Sequence, residues 1–243
     1  TVKGASTVSY TTKALDSGTT YYFRVRAYKT VSGTDYNGAN SAVKSKKTSG
    51  KAATAKKGDI IKFGKYDWRV LDVKDGKALI ITDKVIGARS DNSGVYGGGW
   101  HWENSILREY LNDGFYNSFG KKDRTRIIKT KVSNKVIPWY NESDRNDTED
   151  YIFLLSLDEV VKYFGDSGQL LNGNPNSEFG ISDEYNKARI AYTLNGSTSD
   201  WWLRTGGYYH GEAAHVQDDG IVDTLGYYLF GYHGVRPAMW ITL

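Results

Sequence analysis

Residues 206–233 hold three of the chain's four histidines, His210, His215 and His233, together with Glu212, Asp218, Asp219 and Asp223. Carboxylates and imidazoles this close in sequence can do two kinds of work. Two of the acids can share acid–base duty, or His210 can be polarised by Asp219 as a dyad. Neither reading finds the parts around it. There is no nucleophile elbow, no HExxH and no phosphate loop, and the histidine spacing is not that of a helical metal-binding pair. The expectation is therefore no catalytic residue, no metal and no cofactor. The same stretch also carries Tyr208, Tyr209, Tyr227, Tyr228, Tyr232 and Phe230, with glycine recurring between them. Tyrosine offers large contact area at small entropic cost, and glycine lets the backbone turn. Adjacent pairs such as Tyr208-Tyr209 and Tyr227-Tyr228 cannot both point into a core from one strand. The sequence thus predicts a ligand-binding face at 206–233 made of Tyr208, Tyr209, His210, His215, Asp218, Asp219, Asp223, Tyr227, Tyr228, Phe230, Tyr232 and His233.

Two apolar blocks bracket that face and have to position it. Trp201-Trp202-Leu203-Arg204 stands in front and Gly234 to Ile241 (GVRPAMWI) behind. Both read as short buried strands. Trp201, Trp202, Arg204, Arg236 and Trp240 are read as framework, with the two arginines pairing buried carbonyls or carboxylates. Upstream, residues 59–63, 66–73 and 77–83 read as three strands, and Asp75-Gly76 is a strong hairpin signal. Ser105 or Asn104 is positioned to cap a helix over 106–112, and residues 121–128 hold another short helix. Residues 151–156 (YIFLLS) read as a buried strand. Ser156, with Glu159 three residues on, forms a capping box for the helix LDEVVKYF. The acidic loop NESDRNDTED at 141–150 raises calcium, but it lacks the EF-hand spacing.

Bulk properties narrow the classes further. The chain has 243 residues, 39% hydrophobic and 25% charged, the balance of a folded protein with one large or two moderate domains. Residues 1–57 carry a net +9 and residues 58–243 a net −5, so the overall +4 hides an acidic larger part. The basic stretch reads as a solvated face, and no nucleic-acid motif accompanies it. No apolar run reaches membrane-spanning length, so no membrane insertion is expected. Cysteine is absent, which removes disulfides and thiolate chemistry. The opening Thr1-Val2-Lys3 is expected to be an internal point of a longer protein.

Residues 15–28 (LDSGTTYYFRVRAY) resemble the fibronectin type III pattern L-x-P-G-T-x-Y-x-x-R-V-x-A, with Ser17 in place of proline. Tyr21, Phe23, Val25 and Ala27 alternate as one face of a strand, and residues 39–48 resemble the final strand. The resemblance implies that residues 1–48 are the C-terminal strands of such a β-sandwich, with an open core face, and that the small, basic stretch 49–57 is a linker.

From Gly58 onward, GDIIKFGKYDWRVLDV, the W-x-x-S-x-L-R-x-Y-L-N run from Trp102 to Asn112, the IFLLS-x-x-E run from Ile152 to Glu159, WWLRT and GVRPAMWI resemble an uncharacterised domain of exported proteins of Gram-positive bacteria and their phages. The closing block is similar to the C-terminal half of C-type-lectin-like folds and of relatives of formylglycine-generating enzymes. That resemblance implies an α+β, C-type-lectin-like fold over residues 58–243. It carries no activity, because the lectin sugar motifs and the catalytic cysteines are absent. One group with that fold, the variable proteins of diversity-generating retroelements, varies surface positions within a restricted set of residue types. Residues 206–233 fit that set except at Glu212 and Gln217. The function these resemblances imply is non-enzymatic. It is a display surface for a protein or glycan ligand, outside the cell, at the cell surface or on a phage particle. A carbohydrate-binding module of fixed specificity is the alternative.

Overall fold

The computed structural model describes residues 12, 15, 19–47, 55–91, 100–140, 145–173, 180–209 and 211–243. The chain divides into two compact units, Thr1–Thr54 and Ala55–Leu243, and the division falls within the stretch expected to be a linker. Within the fibronectin-like pattern of residues 15–28, Asp16, Ser17 and Gly18 lie outside the described residues.

In the first unit, strand Thr20–Phe23 pairs antiparallel with Lys44–Lys47, and Tyr28–Val31 pairs with Thr34–Asn37. The inward strand expected through Ala27 stops at Phe23. No described residue of this unit is buried, and Tyr22, Phe23 and Val25 are exposed. A few strands without a facing sheet have nothing to bury their apolar side against.

The second unit is β-rich. The expected α+β, C-type-lectin-like architecture is overturned, because the described residues are 38% strand and 17% helix, distributed over several sheets. The helical signals are real but short. The helices forecast over 106–112, 121–128 and 157–164 are Ile106–Tyr110, Lys121–Arg124 and Leu157–Phe164. The first passes into a π-turn over Leu111–Phe115. The third, of eight residues, carries the forecast Ser156–Glu159 capping box and stops at Gly165, whose φ of 130° cannot continue a helix. No helix among the described residues is long and apolar enough to cross a membrane.

One sheet runs Ile60–Phe63, Tyr66–Lys74, Lys77–Thr82, Ala238–Thr242, Ile127–Ile128. Its central hairpin turns at Asp75-Gly76, both with positive φ (51° and 71°), the geometry that matches strand twist. The other runs Gly180–Ile181, Val222–Tyr228, Glu212–Val216, Trp201–Gly206, His233–Gly234, Ala88–Arg89. One apolar core draws on both, with Trp68, Leu79 and Ile81 from the first and Trp201, Leu203 and Ala214 from the second.

Residues 151–156, forecast as a strand, are a buried tie between the sheets instead. Phe153 exchanges two backbone hydrogen bonds with Ala238 in one sheet, and Leu155 O accepts from Arg204 N in the other. Because Arg204 turns its N–H to this tie, strand Trp201–Gly206 bulges away from Glu212–Val216 between Trp202 and Gly206. The Arg204 guanidinium completes the join. It donates to Leu154 O at 2.6 Å and Ser133 O at 3.1 Å, and pairs with Glu159. Leu157 N donates to Thr205 Oγ1.

Removing this guanidinium strands two carbonyls and takes the counter-charge from Glu159. Arg204→Ala is expected to lower unfolding free energy by about 3 kcal/mol in urea titration. Removing the exposed Lys62–Asp67 pair through Lys62→Ala should change it by less than about 0.5 kcal/mol. Equal small losses would show that the tie does not depend on Arg204.

Candidate functional site

The end of the six-stranded sheet where Gly206, Ala213 and Tyr227 stand side by side carries the aromatic cluster. Two glycines make this possible. A Cβ on Gly207 would fall 2.2 Å from Leu225 O, and one on Gly226, whose φ is 95°, would fall 2.9 Å from the Gly207 Cα. Bare backbone against bare backbone lets Tyr208 N reach Leu225 O at 2.7 Å, which fastens the Tyr208-Tyr209 turn to the neighbouring strand. Gly231 sits on the Tyr227 ring in the same way.

The rings form two groups. Tyr208 packs edge-on against Tyr209 (4.8 Å) and Tyr140 (5.0 Å). Tyr227 neighbours Tyr228, which stacks on Phe230 at 16° between planes. Tyr208, Tyr209, Tyr227, Tyr228, Phe230 and Tyr232 are 47% to 75% exposed. The forecast framework residues Trp201, Trp202, Arg204 and Arg236 are buried, while Trp240 is half-buried. Arg236 donates to Thr82 O and lies under the Trp201 ring at 4.8 Å; complete burial lowers its pKa to about 10.

The other forecast residues separate from this cluster. His210 lies outside the described residues. Asp218 and Asp219 are exposed, but they belong to the turn between Glu212–Val216 and Val222–Tyr228. That turn is at the far end of the strand, about 20 Å from the tyrosines at strand rise. Asp219 caps it by accepting from Ile221 N, and Asp218 accepts from Thr198. Asp223 is half-buried mid-sheet and accepts from Gly226 N and Gln217. His215 and His233, forecast as contacts, are instead 3% and 7% exposed. They sit on inner strands, under Tyr227 and against Trp202. Burial pushes both imidazoles below their usual pKa, His233 to about 4, with His215 beside it adding to the shift.

Two residues escaped the sequence reading as site residues. Tyr140 braces Tyr208 and donates to Thr224 O, and Asp200 lies 3.2 Å from His233. Both approaches are made by strand pairing and loop packing, so no local pattern announces them. The acidic loop is largely accounted for as structure: Asp147 pairs Lys131, Glu149 pairs Lys129, and fully buried Asp150 accepts from Trp102, Thr148 and Arg108.

Beside the tyrosines, a cleft of about 20 Å3 is lined by Trp100, Trp102, Tyr140, Arg204, Tyr209 and Glu212, room for about one water. A wider groove of about 720 Å3, lined by Arg69, Asp83, Tyr163, Lys187 and Arg236 among others, includes none of the aromatic-cluster rings. Glu212 is 6% exposed, and burial first, then Asp223, raises its pKa above 4.5. Its charged form therefore costs stability at neutral pH. The protonated form is favoured in the fold, so that contribution is complete below pH 4.5 and lost as pH rises through the raised value. Glu212→Gln is expected to raise Tm at pH 7, with the gain shrinking towards pH 4. A gain that is constant with pH would mean that the carboxylate charge is not the cause.

No curated protein and no solved structure matches the chain. Residues 75–243 match the family described as a domain of unknown function, DUF6273. The match begins at the Asp75-Gly76 turn, so strands Ile60–Phe63 and Tyr66–Lys74 extend the same sheet beyond it. The chain belongs to the DUF6273 family.

Proposed function

We propose that the aromatic end of the six-stranded sheet is a ligand-contact surface, and that the chain acts by binding rather than by catalysis. The observation that carries this is the exposure of six large aromatic side chains within residues 208–232, all 47% or more accessible, on a scaffold whose tryptophans at 201 and 202 are sealed. Full burial of such a ring is worth about 1.5–3 kcal/mol. Leaving six of them about half open or more forgoes an amount comparable with a domain's net stability of about 5–15 kcal/mol. Clustered exposed aromatics of this kind mark interaction sites.

The partner we favour is a protein or glycan on a cell surface, met outside the cell or on a phage particle. The net −5 of residues 58–243 works against a phosphate backbone. The fixed glycan-binding alternative is supported by one feature: the exposed rings of Tyr228 and Phe230, since a sugar ring can stack on an open aromatic face. Diversification of the exposed positions is supported by where the two residue types outside the restricted set fall. Glu212 is buried and Gln217 is half-buried, bonded to Asp223. Codons of NNC type at the exposed positions, with a nearby near-copy of the gene carrying AAC or AAT there, would support it; mixed codons and no such copy would contradict it.

The binding test is a screen against glycan and surface-protein arrays with the wild type, Tyr208→Ala, Tyr228→Ala and Tyr232→Ala. Hot-spot loss of about 2 kcal/mol predicts roughly thirtyfold weaker binding in at least one variant. Leu194→Ala, exposed outside the cluster, should bind as wild type. Undiminished binding by all three tyrosine variants would show that the contact surface lies elsewhere.

A further inference from the structure

Beneath the tyrosines, three side chains from separate parts of the sequence converge. Asp200 immediately precedes strand Trp201–Gly206, His215 lies in Glu212–Val216, and His233 lies in His233–Gly234. The three strand segments are neighbours in one sheet, with Trp202 opposite His215 and Trp201 opposite Gly234. A Cβ on Gly234 would fall 2.7 Å from Asp200 O, and Gly234 N donates to that oxygen at 2.8 Å. That close approach sets His233 beside Asp200.

One ligand atom from each of Asp200, His215 and His233 lies within 4.8 Å of the others. The imidazole rings stand 4.7 Å apart. Nδ1 of His215 and both ring nitrogens of His233 are buried and make no hydrogen bond among the described residues. His233 Nδ1 comes within 3.2 Å of Asp200 Oδ2, but out of line for a ring N–H bond. Buried imidazole nitrogens ordinarily have partners. Here they turn towards one another and towards a carboxylate, and Trp202 and Tyr227 hold the His233 ring edge-on at 4.3 and 4.8 Å. The Asp200 side chain remains 36% accessible, which leaves the cluster open to solvent on that side.

We propose that Asp200, His215 and His233 form a binding site for a divalent transition-metal ion. Two imidazole nitrogens and one carboxylate oxygen are a borderline donor set. It suits zinc, cobalt, nickel or ferrous iron, and it is poor for calcium or magnesium, which take oxygen ligands. Ligand atoms on a tetrahedral zinc stand about 3.3 Å apart. The His233–Asp200 separation is already at that distance, and the widest separation has about 1.5 Å to close, within reach of side-chain rotation. Three protein ligands leave a fourth position for water or for a donor atom of a bound molecule. The site does not depend on what the tyrosine face binds.

The test uses the full chain without a histidine tag, stripped with a chelator. Calorimetry with zinc should show one site per chain. Zinc at about a hundredfold excess over its Kd should raise Tm by roughly 5 °C or more, and equimolar calcium or magnesium should not. Cobalt should give visible absorption from a site of low coordination number. Asp200→Asn, His215→Gln and His233→Gln should each weaken zinc roughly tenfold or more, while His101→Gln binds as wild type. Asp200 is partly accessible, so Asp200→Asn is expected to stay folded, with circular dichroism as the check, even where a histidine variant does not. Absence of zinc heat and of a cobalt band in the folded wild type would overturn the site. So would undiminished zinc binding in folded Asp200→Asn.

Discussion

The shape of the six-stranded sheet depends on one join: the buried segment 152–157 clasped by Arg204. That segment gives its backbone to both sheets, through Phe153 to Ala238 and through Leu155 to Arg204. The guanidinium satisfies the carbonyls of Leu154 and Ser133, which the bend leaves without strand partners. A buried cation is costly unless its donors are met, and here the two terminal nitrogens are met by the two carbonyls and Glu159, while Nε makes no hydrogen bond among the described residues. The bulge this forces in Trp201–Gly206 has a functional consequence. It lets the chain leave the ladder at Gly206 and swing Tyr208 and Tyr209 out over the neighbouring strand.

From there the arrangement divides by depth. Trp202 is sealed against His215 and His233, and the two imidazoles lie on the inner strands just under the surface. The tyrosines and Phe230 stand above them in water. Close glycine contacts at Gly207, Gly226 and Gly231 hold the rings without burying them. A surface fixed by backbone contacts loses little entropy when something docks on it, which is the condition for tight recognition by aromatic side chains.

Much of the local structure was legible in the sequence. The Asp75-Gly76 hairpin, the three strands around it, the Ser156–Glu159 cap and the exposed tyrosine pairs all follow from turn chemistry, capping and alternation. The architecture was not legible. Capping signals mark where a helix starts but not how far it runs, and glycine ended Leu157–Phe164 within about two turns. A resemblance spread over short motifs likewise did not determine the arrangement of strands into sheets. Within the site, alternation separated the tyrosines from the core, but it could not see that His215 and His233 would lie on inner strands. Nor could it see that the strand between Asp219 and Tyr228 would carry the acids to the opposite end of the hairpin. Asp200 and Tyr140 were invisible for the same reason, since only strand order brings them in.

The central claim is that the tyrosine cluster is wet while the adjoining tryptophans are sealed. Hydroxyl-radical footprinting of the folded chain, read residue by residue by mass spectrometry, tests this without knowing any ligand. The account predicts rapid oxidation of Tyr209, Tyr228, Phe230 and Tyr232 and strong protection of Trp201 and Trp202. Protection of those tyrosines equal to that of the two tryptophans would contradict it.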